Sequence, residues 1–452
     1  MRTFKIRFST THIILFSFLF AILIGALLLS LPISSAKGVG TPFIDALFTS
    51  TTATCVTGLV TVPTVSHWSI FGQVVILVLI QIGGLGIITV LTGITIMFHK
   101  RIGLADRILI QDAFNLNTLS GLTAFVKKVI LGTFIIESLG AFAYMTVFVP
   151  KFGARGIWIS FFNSISAFCN AGIDIIAENS LCDYVHNPIV NIVTCLLIIL
   201  GGIGFIVWWD VIRVLKQKRK TKIKFFKSLT LHSKIALSST AILIVLGAVV
   251  IFAFEYNNPL TFKDFNIFQK TQASLFQSVT TRTAGFATVP QENLSNGSSL
   301  FSILLMFIGG SPVGTAGGIK TVTFTIIIMS AISAIKGRND VSLFDRTVSK
   351  QAISKAIAVM ATSFAIMFIS TLLVFAVNDG NALDVVYETV SATATVGLTR
   401  NFTSSLNVLG KIVIIITMYF GRVGPISLAV ALNIKKKSQN IIKNPSEDIS
   451  VG

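Results

Sequence analysis

Residues 48–59 read FTSTTATCVTGL, a run of small and hydroxylated residues that leads from an aromatic residue to a glycine. The same shape recurs in FNSISAFCNAGI (162–173), LFQSVTTRTAGF (275–286) and YETVSATATVGL (387–398). The glycines of the four segments are 114, 113 and 112 residues apart, at Gly58, Gly172, Gly285 and Gly397. Ten residues before each glycine lies a large apolar or aromatic residue: Phe48, Phe162, Leu275 and Tyr387. A spacing this constant predicts one structural unit that occurs four times.

The composition around these segments is that of a membrane protein. Of 452 residues, 53% are hydrophobic and only 12% are charged, and the mean hydropathy is +0.83. A soluble domain carries about twice that fraction of charged residues. Runs such as Ile13–Ile33 and Ile70–Met97 reach the roughly 20 apolar residues that a membrane-spanning helix needs. The sequence therefore predicts a protein that crosses a membrane several times.

The formal net charge of +18 is concentrated in five clusters of lysine and arginine. The clusters, which hold 26 of the 36 basic residues, are 2–7, 100–128, 213–234, 336–355 and 435–443. Because basic loops stay on the cytoplasmic side, these clusters and both termini are predicted to be cytoplasmic. The remaining loops carry most of the acidic residues, which suits the capture of cations from outside. Nucleic-acid binding is not indicated, since no soluble domain is present to carry it.

Each glycine segment lies between two long apolar stretches. The predicted first helices are Ile13–Ile33, Phe125–Val149, Lys234–Phe254 and Ala352–Val377, and the second helices are Ile70–Phe98, Val190–Leu215, Ser299–Ile335 and Val408–Ile434. Two spans per unit return the chain to the cytoplasm, where the basic clusters fall. The segments are too short to span, so they must dip into the membrane and return, which needs protein or water around the backbone.

The predicted fold is therefore an all-α polytopic membrane protein with four pseudo-symmetric repeats around a central pore. Each repeat is a helix, a re-entrant half-helix with its loop, and a second helix. The predicted boundaries are 10–98, 120–215, 229–335 and 349–435, followed by a cytoplasmic tail at 436–452.

Four re-entrant loops around one axis can replace the water shell of a cation with backbone carbonyls. Turning successive carbonyls inward requires an unusual backbone conformation, which glycine adopts without steric cost. The negative end of each half-helix dipole would point at the pore centre and favour a cation there. On this hypothesis, replacing a filter glycine alters selectivity, whereas replacing Gly201, outside the segments, does not.

The second helix of the third repeat is interrupted by FIGGSPVGTAGGIKTVTF, residues 307–324. Each interior glycine costs a helix about 1 kcal/mol relative to alanine, and proline costs about 3 kcal/mol. We therefore expect two half-helices joined by a loop at membrane depth, across the pore beneath the filter. Two interpretations stay open: a flexible gate, whose glycines lower its local stability, or a kink that lets helices pack closely.

The interrupted helix also contains a stretch that resembles a nucleotide site. GTAGGIKT resembles a phosphate-binding loop, but Ile319 separates Gly318 from Lys320 and no strand precedes it. The other second helices carry GGLG (83–86), GGIG (201–204) and GRVGP (421–425), which indicate close helix packing. Arg422 within the last of these is different, because an arginine at membrane depth is expensive and usually functional or paired.

The triplets VTG, NAG, TAG and TVG resemble the degenerate filter of the Trk/Ktr/HKT superfamily of potassium uptake proteins. The likeness covers about residues 10–440 and is greatest to the KtrB-type potassium-translocating membrane subunits. It implies ion binding by the filter residues Val56, Thr57, Gly58, Asn170, Ala171, Gly172, Thr283, Ala284, Gly285, Thr395, Val396 and Gly397. It implies an intramembrane gate formed by Gly309, Gly310, Gly314, Gly317, Gly318, Lys320 and Arg422, in which the arginine is an electrostatic barrier and holds the loop through backbone carbonyls.

The resemblance also implies a cellular setting. It implies potassium uptake across a bacterial plasma membrane, with sodium as a regulator and no covalently bound cofactor. It implies a homodimer in the lipid bilayer and a separate cytosolic nucleotide-binding regulatory ring of the KtrA type. A glycine at position 58 implies selectivity for potassium over sodium.

Some questions stay open from the residues alone. A secondary transporter that couples cation flow to another solute is the alternative, although such proteins typically use inverted repeats and midplane carboxylates. An enzyme is not expected, because no catalytic constellation is visible. The sequence leaves undecided the roles of Glu137 and Arg282, channel or carrier kinetics, the affinity for potassium, and the ligand of the cytosolic partner.

Overall fold

The computed structural model describes residues 10–98, 103–113, 121–218, 224–338 and 340–424. The predicted tail at 436–452, the N-terminal basic residues and the end of the last predicted helix lie outside these ranges. Within them the regular secondary structure is almost entirely helical, as the sequence predicted. A two-stranded antiparallel hairpin, β1 (Ser342–Leu343) and β2 (Arg346–Thr347), pairs Ser342 with Thr347 and Leu343 with Arg346.

Four long helices of the described chain are apolar enough to span a membrane. They are α1 (Thr10–Ser30), α7 (Leu122–Phe152), α12 (Leu231–Glu255) and α16 (Lys350–Val377). Their outward faces are apolar and exposed, as expected for helices in contact with lipid. They lie where the sequence predicted the first helix of each repeat.

Each long helix is followed by a shorter helix that packs inside the bundle. These half-helices are α2 (Phe43–Cys55), α8 (Ala154–Cys169), α13 (Ile267–Thr280) and α17 (Ala382–Ala394). Asparagine side chains begin two of them: Asn266 caps α13 through Gln269, and Asn381 caps α17 through Leu383. Their last turns are buried, so their ends are placed by packing as well as by capping.

Two of the predicted second helices are not continuous, which corrects the prediction. The chain bends by 97° between α4 (Ile70–Leu85) and α5 (Ile87–Met97), and by 96° between α9 (Pro188–Gly202) and α10 (Phe205–Lys218). Gly86 and Gly204 lie at the bends with φ of 84° and 93°, a conformation that glycine adopts without penalty. If each bent pair is one span, the described chain has up to six candidate spans.

The second helix of the third repeat is broken, as the sequence predicted, into α14 (Asn296–Phe307) and α15 (Thr321–Ile335). The fourth is α18 (Val408–Val423). The smaller helices are α3 (Thr64–His67), α6 (Leu104–Ala113) and α11 (Phe225–Ser228), and single 3₁₀ turns lie at Pro32–Ser34, Cys182–Tyr184, Gln291–Asn293 and Thr403–Ser405.

The third half-helix differs from the expected register by one residue. Phe48, Phe162 and Tyr387 are fully buried, but Leu275 is 42% exposed and Phe276 takes the buried place at 1%. The buried aromatic therefore precedes its glycine by nine residues in this segment instead of ten. A helical position shifted by one residue turns by about 100°, which moves Leu275 off the buried face.

Candidate functional site: four loops and the loop beneath them

Each glycine segment has one residue in the left-handed backbone region, which caps the half-helix in the first, second and fourth segments and lies two residues past the cap of α13 in the third. These residues are Val56 (φ 56°), Asn170 (φ 60°), Thr283 (φ 66°) and Thr395 (φ 50°). Two residues later come the glycines, also with positive φ: Gly58 (105°), Gly172 (64°), Gly285 (83°) and Gly397 (96°). Valine and threonine are β-branched and rarely adopt this conformation, which costs about 1–2 kcal/mol per residue. Strain of this kind persists only where the surroundings impose it, and it clusters at functional sites.

The four segments meet one another in chain order. A Cβ placed on each glycine would lie within 3 Å of a carbonyl oxygen of another segment, for Gly58 at Ala171, for Gly172 at Ala284, for Gly285 at Val396 and for Gly397 at Thr57. The fourth segment thus returns to the first and closes a ring. In this ring each glycine faces the middle residue of the next triplet, and any larger residue would push its Cβ into a carbonyl oxygen. The geometry brings together all twelve residues that the sequence assigned to the filter.

Hydroxyl groups of the segments hold the loop backbone from behind. The main-chain N–H of Gly58 donates to Oγ1 of Thr52 at 2.9 Å, and that of Gly397 donates to Oγ of Ser391 at 3.0 Å. In the second segment the Ser166 hydroxyl donates to the carbonyl of Ile173 at 2.5 Å. The serines and threonines that the sequence showed before each glycine therefore fix the loop conformation.

The loop between α14 and α15, residues 308–320, lies against the ends of three half-helices. The N–H of Gly317 donates to Oγ1 of Thr283 at 3.1 Å, and the Thr315 hydroxyl donates to the carbonyl of Phe168 at 3.0 Å. A Cβ on Gly317 would run into the side chain of Thr395. The loop is therefore in direct contact with the second, third and fourth filter segments.

The glycines of this loop allow close packing. A Cβ on Gly309 would strike the carbonyl of Gly317, and one on Gly310 would strike Ala316 and lie 2.8 Å from the carbonyl of Gly202. Gly314 would meet the carbonyl of Gly201 at 2.9 Å, and Gly318 has a φ of 63°. The N–H of Gly309 also donates to the carbonyl of Ile319 at 2.9 Å, which draws the two ends of the loop together.

The bend between α9 and α10 receives this loop, a role that the sequence analysis missed. The carbonyls of Gly201 and Gly202 accept the N–H groups of Thr315 at 3.1 Å and Ser311 at 2.8 Å, and Phe205 donates its N–H to Val313 at 2.9 Å. The motif GGIG is the signal in the sequence, but it indicates close packing without identifying the segment that packs there.

The same contacts correct the expectation that Gly201 lies apart from the site. A Cβ on Gly201 would strike the carbonyl of Phe168 in the second half-helix and lie 2.7 Å from the Thr315 hydroxyl. Gly201 is therefore not a neutral control for the filter glycines.

Arg422 joins the loop to another part of the bundle. Its Nη1 donates to the carbonyl of Thr315 at 2.6 Å, and its Nη2 donates to the carbonyls of Gly83 and, at 3.4 Å, Gly84. Lys320 folds back onto the loop, with its Nζ 2.5 Å from the carbonyl of Ala316. In the described part of the chain, neither cation forms a salt bridge. Both basic side chains are held by backbone carbonyls next to the glycine segments.

Arg282 and Glu137, whose roles the sequence left open, both lie behind the loops. Arg282 is 6% exposed and donates to Oγ1 of Thr240 on α12 at 3.4 Å. Glu137 is 3% exposed on α7, and its Oε2 accepts a hydrogen bond from Gln81 at 3.2 Å. Each is therefore directed toward a neighbouring helix.

Comparison with known proteins agrees with this architecture. The family model of TrkH, described as a cation transport protein, matches residues 4–444. The chain belongs to the TrkH family. The identification rests on nearly the whole chain, including all four glycine segments and the loop at 308–320.

Three named bacterial proteins are similar to this chain over nearly its whole length. The chain is 40% identical to Ktr system potassium uptake protein B of Bacillus subtilis, over 99% of this chain and 98% of that protein. It is 36% identical to potassium/sodium uptake protein NtpJ of Enterococcus hirae, over 99% and 98%. It is 34% identical to Ktr system potassium uptake protein B of Vibrio alginolyticus, over 99% and 96%.

A solved structure of the family has the same fold. The potassium transporter TrkH from Vibrio parahaemolyticus superposes with a TM-score of 0.72, covering 96% of this chain and 86% of that one. The sequences are only 15% identical, so the likeness concerns the fold alone.

Proposed function

We propose that this TrkH-family protein takes up potassium across the bacterial plasma membrane through the ring of four glycine segments. The single observation that carries the proposal is the closed order of contacts, in which each glycine faces a carbonyl of the next triplet. Carbonyl oxygens at close quarters suit a cation that sheds its water shell. The full-length relatives that are named for potassium uptake support potassium as the substrate.

The filter residues have distinct tasks in this mechanism. The carbonyls of the twelve residues at 56–58, 170–172, 283–285 and 395–397 coordinate the ion in turn. The glycines allow the segments to approach one another, and the hydroxyls behind them keep the carbonyls in place. Because the backbone is already held in its strained conformation, little reorganisation accompanies the passage of each ion.

The loop at 308–320 is the gate. It lies against three of the glycine segments and accepts a hydrogen bond from Arg422, so an ion that leaves the filter meets both the loop and the positive charge of Arg422. Arg422 opposes a cation there, because Coulomb repulsion is stronger where water is scarce. The gate residues are Gly309, Gly310, Gly314, Gly317, Gly318, Lys320 and Arg422. Opening requires that the loop at 308–320 lose its hydrogen bonds to α9 and to Arg422 of α18.

The protein acts as the ion-translocating subunit of a Ktr-like system. A second copy completes a homodimer, and a separate cytosolic nucleotide-binding ring of the KtrA type docks on the cytoplasmic side, where the termini lie. The relative named for potassium/sodium uptake supports sodium as a regulator. Translocation requires no covalently bound cofactor.

Flux in liposomes tests the proposal. The purified chain, reconstituted with and without its cytosolic partner, should pass potassium down its gradient and discriminate against sodium. Flux that depends on the countermovement or co-movement of another solute would overturn the proposal in favour of a secondary transporter. Growth of a potassium-limited bacterial host, with and without the partner, gives the matching test in cells.

A further inference from the structure

A cluster of three side chains lies behind the second filter segment. Oε2 of Glu137 accepts the hydrogen bond from Nε2 of Gln81. The thiol of Cys169 lies 3.5 Å from Oε1 of Gln81 and 3.9 Å from Oε1 of Glu137. Cys169 is the last residue of α8 and directly precedes Asn170. The cluster therefore touches the point at which the loop leaves its half-helix.

Packing alone does not explain a glutamate at this position. Three long helices repeat one contact, in which a serine hydroxyl of the half-helix donates to a main-chain carbonyl: Ser50 to Ile22 at 2.6 Å, Ser164 to Glu137 at 2.6 Å and Ser278 to Ile244 at 2.8 Å. Three residues further on, each helix has a glycine against the same hydroxyl, at Gly25, Gly140 and Gly247. Isoleucine thus occupies the corresponding place in two helices, and only α7 places a carboxyl group there.

Cys169 is confined on two sides. A Cβ on Gly84 would lie 2.5 Å from its Sγ, so α4 closes one side. Gln81, three residues earlier on the same helix, also lies against the thiol, and the carboxyl group of Glu137 approaches it from α7. Asn170, the next residue, has its strained φ of 60°, and its side-chain amide atoms are buried without a hydrogen-bond partner. Asn170 is held by its main-chain N–H, which donates to the carbonyl of Ala167 at 3.2 Å, and through the adjoining Cys169.

We propose that Glu137 is a positioning residue of the second filter segment, which it fixes through Cys169 and Gln81. This inference rests on the proposed function, because it assigns a residue that supports the filter. The carboxyl group holds the end of α8, and the end of α8 sets the direction of the carbonyls of Asn170–Gly172. The affinity of the filter for the ion therefore depends on the side chain of Glu137, which does not contact the ion.

The test is potassium uptake by Glu137→Ile in liposomes, with sodium as a competitor. Isoleucine is the residue that the corresponding positions in α1 and α12 accept, so the variant should fold. We expect the KM for potassium to rise by about fivefold, the scale of one lost hydrogen bond. Competition by sodium should strengthen, while the maximal rate per folded protein changes less.

Four further variants separate positioning from general support of the fold. Glu137→Gln retains an acceptor for the thiol and should restore most of the wild-type KM. Cys169→Ala should shift the KM in the same direction, and the double variant with Glu137→Ile should add little, because both act through one contact. Glu255→Gln is the matched control: this glutamate is also buried, but it accepts hydrogen bonds from Thr261 and Ser295. It should lower the thermal midpoint and leave the KM ratio of potassium to sodium unchanged.

The outcomes distinguish the inference from the proposed function. Selective potassium uptake that is unchanged in Glu137→Ile and Cys169→Ala would overturn the inference alone. A Gln variant as impaired as the Ile variant would also overturn it, because the hydrogen bonds would then not be the cause. Absence of selective potassium uptake in the unaltered protein would overturn the proposed function and the inference with it.

Discussion

Arg422 donates a 2.6 Å hydrogen bond to the carbonyl oxygen of Thr315, across 107 positions of the chain. This bond ties α18 to the loop at 308–320, and the same guanidinium reaches the carbonyls at the end of α4. One side chain therefore connects the second helices of the first and fourth repeats to the loop.

Replacement of Arg422 by glutamine should raise potassium flux and weaken its dependence on the cytosolic partner. The variant removes a positive charge from the ion path and loosens the loop. Arg422→Lys is the matched control, since it keeps the charge but cannot hold carbonyls of both Thr315 and Gly83 in a planar fork. Flux per folded protein is the measurement. Unchanged flux in both variants would contradict the gate.

Replacement of Gly397 by alanine should lower the preference for potassium over sodium by at least about tenfold, an effect of about 1.4 kcal/mol. The added Cβ would strike the carbonyl of Thr57, and φ is 96° at this position. Gly103→Ala is the control, because Gly103 is exposed and a Cβ there would meet its nearest atom, of Asp106, at 3.6 Å. Equal selectivity in the two variants, measured by competitive uptake, would refute the ring of carbonyls.

Replacement of Gly204 by alanine should disturb the loop from the side of α9. The new Cβ would strike the carbonyl of Pro312, and φ is 93°. Gly121→Ala isolates the backbone penalty, since Gly121 has φ 72° and open space around it; that penalty should be about 1–2 kcal/mol. Gly204→Ala should lower the thermal midpoint further and raise partner-independent flux. Identical behaviour of the two variants would exclude a role for the bend.

Deletion within residues 310–317 should raise potassium flux and weaken partner dependence while selectivity is largely kept. The deleted backbone carries the hydrogen bonds to Gly201, Gly202 and Thr283, so the barrier is lost but the glycine ring remains. Thermal unfolding serves as the check on folding. A well-folded deletion variant with reduced or unchanged flux would instead favour the kink interpretation.

Native mass spectrometry in mild detergent should show two chains per particle. The outer faces of the long helices are apolar, so a second copy of the chain can pack against them within the membrane. The end of the tail, PSEDISVG at 445–452, which we expect to contribute to the contact, lies outside the described residues, so its truncation is the informative variant. A monomer that transports at the full rate would contradict the homodimer.

The sequence by itself determined the features that depend on local composition and spacing. Apolar length predicted the long helices α1, α7, α12 and α16, and the glycine and proline content of 307–324 predicted the break between α14 and α15. The regular spacing of the four glycines indicated which residues belong together. These properties follow from propensities that act over a few residues, so they can be predicted without contacts.

Only the tertiary structure decided how the segments meet. The chain bends at Gly86 and Gly204. The loop at 308–320 packs on Gly201 and Gly202, and Arg422 donates a hydrogen bond to it, so both contacts join residues that are far apart in the chain. The one-residue shift that buries Phe276 and exposes Leu275 also depends on the neighbours of α13. The glycine pattern in a sequence does not distinguish a turn from a close approach of two segments or a bend in a helix. Glycine allows all three, because it has a hydrogen atom in place of a side chain. The partner that lies opposite each glycine selects among them, and that partner is supplied by the folded chain.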